Sequence, residues 1–214
     1  MAGAADTEAI LHRYLEELYA WNRRINLTTV PADDAERRHL GEARRLLETA
    51  GPQPGARVAD IGSGSGVPGL VLAILRPDLE VTLIESDRRR AGFLVHAAAI
   101  CACRRTAVLA RRAEEVGHDP AHRAGYDLAV SRATAAAPAL CELALPLLRV
   151  GGRLLALVTD AAADAEHAAA AARSCGGSPP SQAAPGVLSV VKIAPTPERF
   201  PRRPGVPARR PLLG

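Results

Sequence analysis

The 214 residues, 48% hydrophobic and 23% charged, suffice for one core of roughly 150–200 residues plus an appendage and exclude disorder over most of the length. Aromatics at 3% argue against a surface that reads bare bases by stacking. The net charge of +4 lies in residues 198–214, where Arg199, Arg202, Arg203, Arg209 and Arg210 face only Glu198, so the rest of the chain is balanced.

From Asp6 to Ile25, the residues Ile10, Leu11, Tyr14, Leu15, Leu18, Trp21 and Ile25 recur at three- and four-residue spacings. This predicts an amphipathic helix with Asp6 as its N-cap. A turn over Thr28 to Asp33 and a second helical stretch to about Ala50 follow, and Gly51-Pro52-Gln53-Pro54-Gly55 forms a stiff connector. Short β-type runs then alternate with helical ones. The predicted strands are Arg57–Ile61, Glu80–Glu85, Thr106–Leu109, Asp127–Val130, Arg153–Val158 and a solitary last run, Val187–Ile193. The predicted helices cover about Pro68–Leu75, Arg89–Ala102, Ala135–Leu148 and the alanine-rich Ala161–Ser174. Such alternation means a parallel α/β sheet with helices on both faces. The chain divides into a helical cap at 1–50, a core at 56–193 and a basic, proline- and arginine-rich tail at 194–214. Guanidinium forks on a stiffened strip suit phosphate, although a solvated tail that aids solubility explains the same composition.

Cys101, Cys103, Cys141 and Cys175 stand in apolar surroundings without a repeated Cys-x-x-Cys, as expected of buried cytosolic thiols rather than a disulfide or zinc framework. His118 and His122 flank Pro120 in a loop, so a metal pair is not expected there. The N-terminal MAGAADTEAI carries acids where a signal peptide needs a basic end. No run of about 18 apolar residues occurs. A soluble, cytoplasmic protein with no membrane or DNA partner, acting as a monomer, is the expectation.

The first strand runs into Asp60-Ile61-Gly62-Ser63-Gly64-Ser65-Gly66-Val67-Pro68-Gly69. Glycines at alternating positions remove the Cβ atoms that would keep a ligand from the backbone, and the turn opens into a helix with free N–H groups. A lone glycine turn of this kind is shared by phosphate loops and dinucleotide sites. Here Asp60 precedes the glycines, able to hold the loop or meet a cationic ligand, and Glu85 ends the second strand about 20 residues on, suited to both ribose hydroxyls of an adenosine. The third strand leads into Arg112-Ala113-Glu114-Glu115, where a loop can present backbone groups and a carboxylate to an adenine edge. The spacing favours S-adenosylmethionine over a dinucleotide, because GSGSG lacks the third glycine of a dinucleotide fingerprint and the acids suit a sulfonium and an amino acid better than a pyrophosphate.

With these residues in place, the chain resembles the bacterial 16S ribosomal RNA 7-methylguanosine methyltransferases, the glucose-inhibited division protein B family. The likeness rests on Trp21-Asn22-Arg23-Arg24-Ile25-Asn26-Leu27-Thr28, on His39 and on the glycine loop with Val67-Pro68-Gly69. It continues through Glu85-Ser86 with Arg89-Arg90 and Phe93-Leu94, Arg112-Ala113-Glu114-Glu115 and Val130-Ser131-Arg132-Ala133. It ends in the tail, Phe200-Pro201-Arg202-Arg203-Pro204-Gly205-Val206-Pro207. The resemblance implies a Rossmann-like class I methyltransferase with a seven-stranded, mostly parallel sheet and an N-terminal helical cap. It implies cofactor contacts at Gly62 and Val67 in the loop and at Ala113 and Glu114 beside the adenine. Together with the motif reading, this gives Asp60, Gly62, Gly64, Gly66, Val67, Glu85, Ala113, Glu114 and Arg132 as the cofactor side. Arg132 is also the candidate catalytic residue, an orienting group at the mouth of the site. Asn26, His39, Arg202 and Arg203 are candidates for the RNA side. The chain departs from the family pattern in carrying Glu42 and Ala43 where an Asp-Ser pair is usual, Val158 and Thr159 where a lysine follows the fifth strand, and Glu85 for an aspartate. Two alternatives stay open: a diverged paralogue that methylates a small molecule or peptide, and a non-catalytic ribosome-binding module.

Overall fold

The computed structural model describes residues 4–132 and 135–213, so Ala133 of the Arg132-Ala133 pair lies outside the described residues. Seven strands make one sheet: β1 (Arg57–Ile61), β2 (Glu80–Ile84), β3 (Thr106–Leu109), β4 (Tyr126–Arg132), β5 (Leu148–Leu157), β6 (Ser181–Ala184) and β7 (Val187–Val191). Their order is β3-β2-β1-β4-β5-β7-β6. The pairings from β3 to β5 are parallel, and β7 and β6 add an antiparallel edge. Strand direction along the chain therefore reverses its progress between β1 and β4, the switch point at which open α/β sheets bind ligands.

The strand side chains alternate between two cores. Val58, Leu128, Val130, Leu155 and Leu157 face one cluster, while Ala59, Ile61, Ala129, Leu154 and Ala156 face the other. The first cluster is covered by α1 (Ala4–Asn22), α2 (Glu42–Ala50), α3 (Gly69–Leu75) and α4 (Arg88–Ile100). The second is covered by α6 (Ala137–Ala144) and α7 (Ala161–Ser174), with Val116 of the short α5 (Ala113–Val116).

Several element boundaries differ from the periodicity. Asp6 sits in the first turn of α1 instead of capping it, since Ala4 and Ala5 are strong helix formers that carry the helix further back. The helix stops at Asn22 rather than Ile25. The Asn22 side-chain oxygen accepts from the N–H groups of Leu27 and Thr28 at 2.8 and 3.0 Å, and its amide donates to the Thr28 carbonyl, which folds the chain back. Before α2 lie a 3-10 turn, Ala32–Asp34, and a π turn, Glu36–Gly41. The Arg112–Glu115 segment is helical rather than a loop, because the Glu115 carboxylate accepts from the Arg112 N–H and caps α5. Strand β6 has no apolar alternation; it forms as an exposed edge through pairing with β7. A last short helix, α8 (Val206–Arg209), lies in the tail.

Among the described residues no helix is long and apolar enough to cross a membrane. Cys101, Cys141 and Cys175 are buried thiols and Cys103 is half-buried; burial pushes all four above the ordinary thiol range.

Candidate active site

A cavity of about 880 Å³ opens at the C-terminal ends of β1, β2 and β4, where the topology places it. The glycine loop forms its floor. Gly62, Gly64 and Gly66 all have positive φ, at 67°, 50° and 91°, so the loop turns sharply between β1 and α3. Gly62 and Ser63 donate to the Ile84 carbonyl at 2.9 and 3.1 Å. The Glu85 carboxylate, almost fully buried, accepts from the Gly64 N–H at 3.0 Å through one oxygen and from the Asp87 N–H at 2.8 Å through the other. The acid expected at a ribose thus also fixes the loop, and each oxygen keeps a second lone pair for a ligand.

Asp60 lies beneath the loop, 1% exposed. One carboxyl oxygen accepts from the Gly69 N–H at 3.1 Å. The other is, among the described residues, the buried side-chain polar atom without a partner. Burial pushes this carboxyl up to about 7. The approach is so close that a Cβ on Gly69 would stand 2.5 Å from Asp60 and 2.7 Å from Leu83, which no relaxed side chain tolerates. The glycine that ends the Val67-Pro68-Gly69 extension is therefore required by the packing of α3 on Asp60.

Arg132, at the end of β4, joins the N-terminal helices to the loop. One guanidinium nitrogen donates to the Arg38 carbonyl at 3.1 Å, to His39 Nδ1 at 2.9 Å and to the Glu42 carboxylate at 3.4 Å; the other reaches Ser65 Oγ at 3.4 Å. His39 is fully buried, and burial together with the Arg132 and Arg38 charges pushes its imidazole down to about 4. It is neutral at physiological pH. Because Nδ1 accepts from Arg132, the proton resides on Nε2, which lies 3.3 Å from Thr28 Oγ1.

Of the residues singled out from sequence, Asn26, Gly62, Gly64, Val67, Glu85, Ala113, Glu114 and Arg132 line the cavity. Asp60 and Gly66 support it from below. One expected RNA-side residue needs correction: His39 is fully buried against Arg132 and does not present its imidazole outward. Arg202 is half-buried and pairs with the fully buried Glu142 at 2.6 Å. Arg203 is exposed. Tyr14 was legible in the sequence only as one apolar position of a helix stripe, yet its hydroxyl donates to the Ser65 carbonyl at 2.8 Å and pins the glycine loop from α1. No sequence signal separates it from its neighbours Leu11 and Leu18. His118 and His122 bond to the Pro201 carbonyl and the Tyr126 hydroxyl, and among the described residues no group of three or more metal-ligating side chains is assembled.

A solved structure, coclaurine N-methyltransferase bound to N-methylheliamine and SAH, matches with a TM-score of 0.51 at 17% identity, over 67% of this chain and 42% of that one; this is a likeness of fold. The family described as rRNA small subunit methyltransferase G (GidB) matches residues 7–181. The chain is also 45% identical to the ribosomal RNA small subunit methyltransferase G of Roseiflexus castenholzii, over 94% of this chain and 90% of the relative. It is 42% identical to that of Chloroflexus aggregans, over 95% and 90%. The chain belongs to this family. In this GidB-family chain, three of the positions that depart from the pattern the resemblance implies, Glu42, Val158 and Thr159, line the cavity. Glu42 pairs with Arg132 at 3.4 Å and with Arg38 at 3.8 Å, while Ala43 is buried in the helical layer.

Proposed function

We propose that the chain transfers a methyl group from S-adenosylmethionine to N7 of a guanine in 16S ribosomal RNA, with the folded RNA or the small ribosomal subunit as substrate. The observation that carries this reading is the convergence of the glycine loop, Glu85, Ala113, Glu114 and Arg132 on one cavity in a chain of the small-subunit methyltransferase family.

The residues fit the cofactor. The cavity is within the range that holds a small-molecule ligand. A Cβ on Gly64 would meet only the Gly62 carbonyl, at 3.7 Å, so the open side of that glycine is free for a ligand to lie against the backbone. Buried carboxylates at Glu85 and Glu114 suit ribose hydroxyls and an adenine amino group. Gly62, Gly64 and Val67 would hold the cofactor along the loop, Glu85 its ribose, and Ala113 and Glu114 its adenine. When bound, S-adenosylmethionine supplies a methyl group activated by positive sulfur.

Guanine N7 carries an in-plane lone pair and no proton, so its methylation requires alignment and desolvation but no general base. The side chains around the cavity suit that demand. The His39 imidazole is committed to Arg132, and a guanidinium does not lose its proton, so Arg132 orients a phosphate or base edge. The carboxylate of Glu42, on the same wall, favours the cationic methylated base. On the rim, Arg38, Arg45 and Arg112 are exposed and Arg90 half-buried. Arg45, Arg90 and Arg112 form no ion pair among the described residues. With Asn26 and Arg203 they offer RNA a set of phosphate contacts.

The test is to incubate the purified protein with tritiated S-adenosylmethionine and small subunits from a strain lacking the modification, then map the labelled nucleotide. Label at a single guanine N7 is expected. No label with cofactor binding intact would point to the paralogue acting on a small molecule or peptide. No cofactor binding would point to the ribosome-binding module.

A further inference from the structure

The basic tail does not trail from the core; it is strapped onto α5, α6 and the segment that follows α5. Arg123 donates to the carbonyls of Gly117, Thr196, Pro197 and Phe200 at 2.7 to 3.3 Å. The Pro201 carbonyl lies 2.6 Å from His118 Nε2, and Phe200 packs into the second core. These contacts hold residues 196–201. Beyond them, an ion pair anchors the strap, beside the buried Pro207 and the packing of Leu212 on the second core. Glu142 of α6 has no exposure and receives the Arg202 N–H at 2.7 Å, Nε at 2.9 and 3.1 Å, and Nη2 at 2.6 Å. The same Nη2 also donates to the Arg210 carbonyl at 2.8 Å, closing the strap on itself.

Three residues past Arg202, Gly205 adopts φ 78°, a left-handed conformation in which its N–H donates to the Glu114 carboxylate at 2.7 Å. Gly205 and Ala208 then form part of the cavity wall, and Leu140 and Leu143, flanking Glu142 on α6, line the same cavity. One short helix thus supplies both cavity surface and strap anchor. We infer that Arg202 and Glu142 are positioning residues for the cofactor. Their ion pair seats the strap so that the Gly205 N–H fixes the Glu114 carboxylate at the cavity wall. The inference rests on the reading of this cavity as the S-adenosylmethionine site. It moves Arg202 from RNA contact to the completion of the cofactor pocket, and it makes strap seating and cofactor binding reciprocal, since two linked equilibria stabilise each other equally.

The full-length chain, its Arg202→Lys variant and the doubly neutral Glu142→Gln/Arg202→Gln variant would be titrated calorimetrically with S-adenosylhomocysteine. Each would also be digested briefly with trypsin, with cleavage after Arg209, a strap arginine not followed by proline and left intact in both variants, followed by mass spectrometry. The double variant leaves no unpaired buried charge and retains hydrogen-bonding groups, and Arg202→Lys serves if it fails to fold. Expected are an affinity about tenfold lower in the variants, with partial retention by lysine, and slower strap cleavage of the unmodified chain when S-adenosylhomocysteine is bound. A purely structural strap would lower the melting temperature without changing that affinity. Equal affinity in folded variant and unmodified chains, or trypsin cleavage indifferent to S-adenosylhomocysteine, would overturn the inference and leave the cofactor reading standing. An unmodified chain that binds no S-adenosylhomocysteine would overturn the cofactor reading and this inference with it.

Discussion

Two walls of the same cavity are held in physically different ways. On the N-terminal side, α1 and the π turn reach the glycine loop and Arg132 chiefly through a buried tyrosine hydroxyl and a neutral histidine: Tyr14 donates to Ser65, and His39 accepts from Arg132, with the half-buried Glu42 adding a longer ion pair at 3.4 Å. On the C-terminal side the strap is fastened by a carboxylate with no exposure and a guanidinium. The contrast teaches where each wall is fragile. A neutral hydrogen bond can be deleted at the cost of one unsatisfied group, whereas removing one member of a buried ion pair strands a charge.

The largest effect is therefore expected at Arg202→Ala, which leaves Glu142 uncompensated and should cost about 3–5 kcal/mol in urea unfolding. The doubly neutral variant should recover most of that loss; equal losses in the two would erase the contrast between the walls.

Asp60 gives the next effect, with a definite pH sign. Its folded carboxyl is raised to about 7 from 3.8, so the protonated form is the one favoured inside. Its contribution to stability is full below about pH 4 and declines as pH rises through 7. Asp60→Asn can keep an acceptor for the Gly69 N–H without carrying a charge. Its stability relative to the unmodified chain should rise between pH 4 and pH 8, by at most on the order of 4 kcal/mol. Parallel pH-stability curves would show that Asp60 is not held protonated.

Tyr14→Phe should cost about 1–2 kcal/mol, the penalty of the orphaned Ser65 carbonyl, and should weaken S-adenosylhomocysteine binding without altering the pH-stability curve. Smallest of all, Arg112→Gln should leave stability nearly unchanged and lower the salt dependence of RNA binding by about one counterion. The same substitution at Arg202 should not reduce that slope if the strap serves the cofactor, which sharpens the division between paired tail arginines and unpaired rim arginines.

How much was legible in the sequence depends on the range of the interaction that decides each feature. Strands β1 and β3 fall where the alternation put them, and helix α7 where the alanine-rich run put it, to the residue, because strand patterning and helix propensity are both local. The glycine loop and Glu85 were legible for the same reason: a turn with repeated positive φ demands glycine, and a strand end fixes where the next acid stands. Strand β6 was not, since an exposed Ser-Gln-Ala-Ala edge carries no apolar alternation and exists only by pairing with β7. Nor could composition tell which arginines remain free. The five tail arginines read as one basic strip, yet Arg202 is spent on Glu142, 60 residues away in the chain, and Arg203 is exposed.

By itself, then, the sequence determined the α/β alternation, the ligand-binding turn and the acid that follows it, since each is encoded within one or two neighbouring elements. The tertiary structure alone decided that His39 is a neutral acceptor, that Tyr14 braces the loop and that the tail closes the cavity. Each depends on contacts between residues dozens of positions apart, whose partners are chosen by the order of strands in the sheet.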